Sequence, residues 1–439
     1  MVDACVRDRV LVFGSLPPRG SDLDLLARAS ELRAIAHTLT RAGFARRGLT
    51  WAHFKGPTVL SVDLVPAEQW GLDDAELRAL FAESDVIEGF SSLAVPAPHH
   101  QILIAARRAA RAGTLDDRAR GRVGQALGSD PAAWEVADLR APRWRAHSAM
   151  RLLREQWRKP GGNPRALRAA ARGELALALA RTGGGWRWLA RRALRSRRKA
   201  VVALSGIDGA GKSFQANALR ESLSDLGVEA FVVWPPAQNV LFQMPPPLKR
   251  VLRAALERAG SRDARASADG AEQRGTVAPA ESMPARMEDE GAEPIFEDLP
   301  RQRTLVMHLL ATVVALAQVL SFRKGARSAP ASSRVLIFDR YTLDAIVYVR
   351  HRWGQGRQLR WPCKLIATMA RRPLRAYLLD VPPEVAYARK RDFPVENLRG
   401  RARLYSEHCS ALGARRLDGQ RTPAELREQI AREVWSSLR

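Results

Sequence analysis

An α/β chain of two domains joined by helices is predicted from three features of the sequence. The first is the glycine-rich string GIDGAGKS, Gly206 to Ser213, set between the β-branched run VVALS and the amphipathic pattern FQANALRESL. The second is the stretch from Arg9 to about Ala97, where short apolar runs (VLVF, VLSVDLV) alternate with helical patterns such as ELRAIAHTLTRAGF. The third is a change of composition from about His99 to Lys199, where the pattern turns helical and strongly basic. The boundaries that follow are a small α/β domain at 1–97, a basic helical connector at 98–199 and a larger α/β domain at 200–439. A chain of 439 residues with 46% apolar content is long enough to bury a core in each.

GIDGAGKS is a full match to GxxxxGK[ST] between a strand and a helix, the context in which that pattern binds phosphate. Gly206, Gly209 and Gly211 permit backbone conformations that turn N–H groups inward, and the helix N-terminus adds partial positive charge. Lys212 is placed to reach the β and γ phosphates, and Ser213 to hold Mg²⁺. The expected triphosphate-binding set is Gly206, Gly209, Ala210, Gly211, Lys212, Ser213 and Phe214, with ATP as phosphoryl donor and Mg²⁺ as cofactor. The expected fold around it is the three-layer αβα domain of P-loop NTPases, with a parallel sheet.

The interior of this loop, with Asp208 two residues after its first glycine, resembles thymidylate kinase and its nucleoside-monophosphate kinase relatives. The resemblance implies that Asp208 faces the acceptor's sugar. A second block, RVLIFDRYTLDAIVY, carries the same family's DRY triplet at a strand end. It implies that Asp339 serves the Mg²⁺ and acceptor region and that Arg340 binds the acceptor phosphate. A third block, AYLLDVPPEVAYARKRDFPVENLRGRARLYSEH, looks like the family's LDVPPE segment leading into its lid. Arg389 falls at the lid-arginine spacing after Asp380, and Arg391, Arg399, Arg401 and Arg403 are further candidates for stabilising the transferring phosphoryl group. Gly209 stands where some thymidylate kinases carry a catalytic arginine, which favours an arginine supplied by the lid. The ending RRLDGQRTPAELREQIAREV resembles the family's last strand, loop and helix, whose loop lies near the adenine. One departure bears on substrate. Where thymidylate kinases follow the second strand with an Arg-Glu-Pro motif that helps hold the acceptor, this chain reads FVVWPPAQNV.

At the N-terminus, VLVFGSLPPRGSDLDLL resembles the nucleotidyltransferase fold, in which a Gly-Ser turn precedes a strand with two alternating carboxylates and a later strand adds a third. Here these are Gly14 and Ser15, then Asp22 and Asp24, then Asp63. Alternate strand positions share a face, so the acids could jointly bind divalent metal and support transfer of a nucleotidyl group. The gap between Gly-Ser and the acid pair is shorter than that family commonly shows.

The remaining features bound partners and compartment. Net charge is +25, mostly arginine, which attracts nucleotides, nucleic acid or an acidic membrane surface. Between Arg143 and Lys199 the only acids are Glu155 and Glu174, with Trp144, Trp157, Trp186 and Trp188 interleaved among arginines. That stretch reads as a helical connector with solvated arginines in preference to a surface for phosphates, nucleic acid or anionic lipid, so a nucleic-acid partner is not the expectation and would act through this connector. About Ser261 to Pro300, rich in Ala, Gly, Pro and acids, reads as a disordered insertion. Thr304 to Phe322 nears membrane-spanning length but carries His308 and Gln318, and is read as a core helix rather than a transmembrane segment. Three scattered cysteines, Cys5, Cys363 and Cys409, fit neither a disulfide framework nor a metal site, so a reducing cytoplasm is the expected compartment. Nucleotides are the expected partners, and a homodimer is compatible with the sequence. Beside a dTMP-type kinase stand a kinase for a non-nucleotide acceptor, a nucleotide-binding scaffold, and a nucleotidyltransferase working through the N-terminal domain.

Overall fold

A computed structural model describes residues 1–13, 22–159, 164–180, 199–234, 304–354 and 356–438. The proposed insertion at 261–300, Gly14, Ser15, Trp186 and Trp188 lie outside these. The chain divides into two compact units: Met1–Ala200 with Ala218–Glu229 and Thr422–Arg439, and Val201–Asn217 with Ala230–Arg421.

The first unit is built on a mixed seven-stranded sheet, of β1 (Val10–Phe13), β2 (Asp22–Ala27), β3 (Ala45–Arg47), β4 (Thr50–Lys55), β5 (Thr58–Pro66), β6 (Asp85–Val86) and β7 (Leu93–Val95), in the order β3-β4-β5-β2-β1-β7-β6. Helix α1 (Leu32–Arg41) buries Ile35 and Leu39 in a cluster with Val10, Val12, Leu25 and Trp51. On the other side stand α2 (Asp74–Ala82), α3 (Pro98–Ala112), α4 (Asp117–Ser129), α5 (Ala133–Arg140), α6 (His147–Arg158) and α7 (Arg165–Ala180). Their small inward residues pack with Leu11, Leu26, Leu77 and Leu80 around a fully buried Trp144. Burial of an indole requires a partner for its N–H, and Trp144 Nε1 donates to Glu76 Oε2 at 3.0 Å. Trp144 is thus a core residue. Glu174, one of the two acids in the basic stretch, accepts from the backbone N–H groups of His147 and Ser148 at the start of α6, where a negative charge meets the positive helix end. The C-terminal helix Pro423–Ser437 belongs to this unit: Trp435 Nε1 donates to Ala45 O at 3.1 Å, and the backbone N–H of Gly56 donates to Glu428 at 2.6 Å.

The second unit is built on a parallel five-stranded sheet of β8 (Ala200–Ser205), β9 (Ala230–Val233), β10 (Val335–Asp339), β11 (Arg375–Asp380) and β12 (Arg415–Asp418), ordered β12-β11-β8-β10-β9. Strands β8 and β10 are buried almost throughout, as parallel strands covered on both faces must be. The molecule is therefore α/β in class. With the sheet go the first residues of α8 (Lys212–Asp225), which passes into the first unit at Ala218, and α9 (Thr304–Ser328), α10 (Thr342–Trp353), α11 (Arg360–Met369), α12 (Pro383–Arg389) and α13 (Val395–Cys409). Among the described residues one helix segment, His308–Ser328 of α9, is long and apolar enough to cross a membrane, and 39% of its apolar window is buried inside the unit. Its Ala311, Val314, Ala315 and Phe322 enter the core with Val201, Leu336 and Phe338, whereas Leu309, Leu316 and Leu320 are exposed.

Candidate functional site

The chain leaves β8 toward one side of the sheet and β11 toward the other. The carboxyl ends of these neighbouring strands therefore flank a switch in winding direction, where open parallel sheets form their ligand crevice. The loop after β8 occupies that place. Gly206, Gly209 and Gly211 all have positive φ, at 149°, 85° and 87°. A Cβ at Gly209 would lie 2.3 Å from the carbonyl oxygen of Ala386 on α12, so this position has no room for any side chain. Phe214, one turn into α8, is exposed.

Lys212 is buried, and its Nζ donates to the carbonyls of Gly206 and Ile207 at 2.8 Å each. Burial and the nearby Arg340 pull its ammonium down to about 8, against the opposing pull of Asp208, Asp344 and Asp339. Ser213 Oγ donates to Asp339 Oδ2, while Asp339 Oδ1 is buried without a hydrogen-bond partner. A hydroxyl and a carboxylate with a free oxygen, set side by side at the loop, form a donor set that suits a hard divalent cation such as Mg²⁺.

Asp208 lies on the other side of the loop. It accepts from Arg340, and from Arg401 of α13 at 3.2 Å, and lies 3.9 Å from Lys212 Nζ. Burial alone would raise its carboxyl, but Arg340, then Lys212 and Arg401, hold it below the ordinary carboxylate value. Arg340 itself stands at φ 79°, a region that non-glycine residues avoid at a cost of about 1–3 kcal/mol. Its N–H donates to Leu204 O at 3.0 Å, which ties this backbone to the end of β8. Strained residues held by their surroundings cluster at working sites, and this one aims a guanidinium at the loop mouth.

The arginines from Asp380 through α13 differ in their partners. Arg401 reaches Asp208 and stacks over Phe393 at 4.4 Å, whereas Arg389 donates to Gly419 O in the loop after β12 and Arg391 lies over the Tyr387 ring. Arg399 pairs with Glu384 at 2.8 Å. One residue that sequence reasoning missed is Asp344, in the first turn of α10. It is buried and accepts from Ser205 Oγ at 2.6 Å, from the Tyr341 backbone N–H at 2.9 Å and from Tyr405 OH at 2.8 Å. It thereby joins the end of β8, the start of α10 and the arginine-bearing α13. The available signal was an acid three residues after Tyr341, the spacing of a helix capping box, which the structure forms.

In the first unit the parallel register of β2 and β5 sets Asp24 beside Asp63 and Asp22 beside Ser61, whose Oγ donates to Asp22 at 2.6 Å. Asp63 Oδ1 is buried without a hydrogen-bond partner. Burial, then the Asp63 charge, raises Asp24, and Arg108 and Arg122 from α3 and α4 oppose that rise. The two arginines carry no sequence signal that sets them apart from others in so basic a chain. A further trio, Glu83, His99 and His100, brings its ligand atoms within 4.8 Å of one another, but Arg140 already bonds Glu83 at 2.7 Å and lies 3.0 Å from His100 Nε2. A guanidinium thus neutralises that cluster.

No protein-family model matches the chain, and no curated protein matches it.

Proposed function

We propose that the chain is an ATP-dependent phosphotransferase of the thymidylate-kinase type, built on a P-loop NTPase fold and acting on a nucleoside monophosphate, with dTMP the first acceptor to try. The observation that carries this reading is the convergence at the carboxyl ends of β8 and β10 of Lys212, the Ser213–Asp339 pair and the Asp208–Arg340–Arg401 cluster. In phosphoryl transfer an acceptor phosphate oxygen bonds the γ-phosphorus as the β–γ bridge breaks and ADP leaves, so charge placement and alignment do most of the work. Lys212 would meet the β and γ oxygens in place of its own loop carbonyls. Ser213 and Asp339 would hold Mg²⁺, which when bound neutralises charge on those oxygens. Arg340 would take the acceptor phosphate, Asp208 would orient both Arg340 and the acceptor sugar, and Arg401 would supply positive charge from α13. Purified full-length protein with Mg²⁺ and ATP, offered dTMP, other nucleoside monophosphates and sugar phosphates, is expected to release ADP faster with a nucleoside monophosphate than with no acceptor. No gain with any of them would sink the nucleotide-kinase reading, and a gain with sugar phosphates alone would move it to a non-nucleotide acceptor.

The depressed Lys212 gives a pH test. A bound triphosphate favours the ammonium form, so above about pH 8 binding must be accompanied by proton uptake. ATP affinity is expected to be level up to that pH and to fall above it, read by calorimetry in two buffers of different ionisation enthalpy. Stability of the unliganded protein moves the opposite way. Between about 8 and 10.5 the unfolded chain binds the extra proton, so stability rises with pH across that window.

A second reading rests on Asp24, Asp63 and the orphaned Asp63 oxygen: the first unit transfers a nucleotidyl group. Its residues would hold two divalent ions on the carboxylates and a triphosphate against Arg108 and Arg122. Transfer of label from α-labelled nucleoside triphosphate to a small molecule or protein, lost in Asp24→Asn and intact in Lys212→Ala, is the expected outcome, and no transfer by the wild type would remove this reading.

A further inference from the structure

The outward residues of α9 form one continuous stripe. Leu309, Val313, Leu316 and Leu320 are followed at the same helical spacing by Arg323, Lys324 and Arg327, all within about a third of the helix circumference. The leucines are exposed by 62%, 42% and 53%, although the opposite face of the same helix is core. The neighbouring α11 adds exposed Trp361 and Met369. Among the described residues α9 and α11 carry charge of one sign, with no Asp or Glu from Thr304 to Phe338 or from Ala345 to Leu379. Between the C-terminal ends of α9 and α11 opens a cavity of about 450 Å³, walled by Phe322, Phe338 and Tyr341 and carrying Arg323, Arg327 and Arg371. Among the described residues no carboxylate pairs with any of these three arginines.

From this we infer that the α9–α11 face is a docking surface for an anionic lipid bilayer, with the leucine stripe entering the interface and the three arginines receiving lipid phosphate. Charge complementarity selects the occupant. Two copies of this face would bring arginine and lysine against one another with no acid on α9 or α11 to meet them. Nucleic acid would satisfy the arginines but would set three leucines against phosphate and sugar. An anionic bilayer satisfies both, because apolar side chains enter the acyl boundary while cations stay at the phosphate level. Each basic residue near such a surface contributes about 1 kcal/mol, or roughly five-fold in affinity, and each buried leucine about ten-fold or more. The inference stands apart from the kinase reading, since it uses none of the residues at the loop.

The test is sedimentation of the full-length protein with vesicles of phosphatidylcholine alone and of phosphatidylcholine with phosphatidylglycerol. Binding is expected only with the second, weakening as salt rises. A Leu316→Gln, Leu320→Gln double variant is expected to lose about a hundred-fold in vesicle affinity, and Arg323→Gln, Arg327→Gln roughly twenty-five-fold. Both pairs are surface changes, so an unaltered thermal melt certifies the fold. Equal binding to neutral vesicles, or none to either, overturns the inference. So does vesicle binding that the leucine variant leaves unchanged while single-stranded DNA competes for the protein, which would assign the face to nucleic acid. Loss of a dimer in the leucine variant with no effect on vesicles would assign it to a second copy.

Discussion

Replacing Lys212 by alanine is expected to lower the rate of ADP formation by about 10²–10³ or more, with a far smaller change in acceptor KM. The reason lies in where the ammonium sits. It is buried at the centre of the loop, donating to Gly206 and Ile207 carbonyls that form the loop's wall. A charge in that position faces little competing solvent, so its attraction for developing negative charge is strong. Alanine would leave the three positive-φ glycines and the helix N-terminus in place, so part of the triphosphate affinity would survive. A variant in which binding and turnover fall by the same factor would speak for a nucleotide-binding scaffold, whose lysine holds ligand without favouring the transition state. Lys212→Arg would not rescue, because a planar guanidinium cannot occupy the pocket that the ammonium fills.

Asp344→Ala is expected to destabilise the second unit by about 3–5 kcal/mol, because three donors would lose their buried acceptor together: Ser205 Oγ, Tyr405 OH and the Tyr341 N–H. For a unit of this size that corresponds to a fall in melting temperature of roughly 10 °C, measurable by calorimetry. Asp344→Asn keeps the volume and one acceptor oxygen, and is expected to recover part of the loss. Tyr405→Phe removes a single hydroxyl and is expected to cost about 1–2 kcal/mol. Activity should fall further than stability in both Asp344 variants at temperatures where they remain folded, since Tyr405 anchors the helix that brings Arg401 to Asp208. A shift of only a few tenths of a kcal/mol in Asp344→Ala would show that the buried carboxylate is not the joint between these elements.

Some of the candidate site was legible because its chemistry is local. A strand, a loop with three glycines and a helix lie next to one another in sequence, and positive φ is a property of single residues, so Gly206 to Ser213 could be read directly. Asp339 and Arg340 were legible for the same reason, standing at the end of a run of buried β residues. Asp344 was not, because its role is to accept from β8 and α13 as well as from its own helix, and no local pattern records partners that distant in sequence. The arginines divide along the same line. From Arg389 to Arg403 they look alike in sequence, and only the placement of α13 against the loop brings Arg401 to Asp208 while Arg389 bonds the loop after β12.

The basic helices repeat the lesson at the scale of a domain. Composition left two readings for the stretch that holds Trp144, a helical connector or an arginine–tryptophan surface, and did not show that the helices fold against β1 and β2 and enclose this indole, with Glu76 taking its N–H. For α9 the core-helix reading holds for one face, which carries Ala311, Val314 and Phe322 into the core, while the other face, continued by Arg323 and Arg327, points outward. The sequence by itself determined the α/β class, the loop after β8 and the spacing of the carboxylates on β2, because each depends on backbone preference or on the two-residue period of a strand. Tertiary structure alone decided which arginine meets Asp208, that Asp24 stands beside Asp63, and which leucines of α9 are left uncovered. Those outcomes depend on register and packing between segments far apart in the chain, where the free energy of burial, not local preference, selects the neighbour.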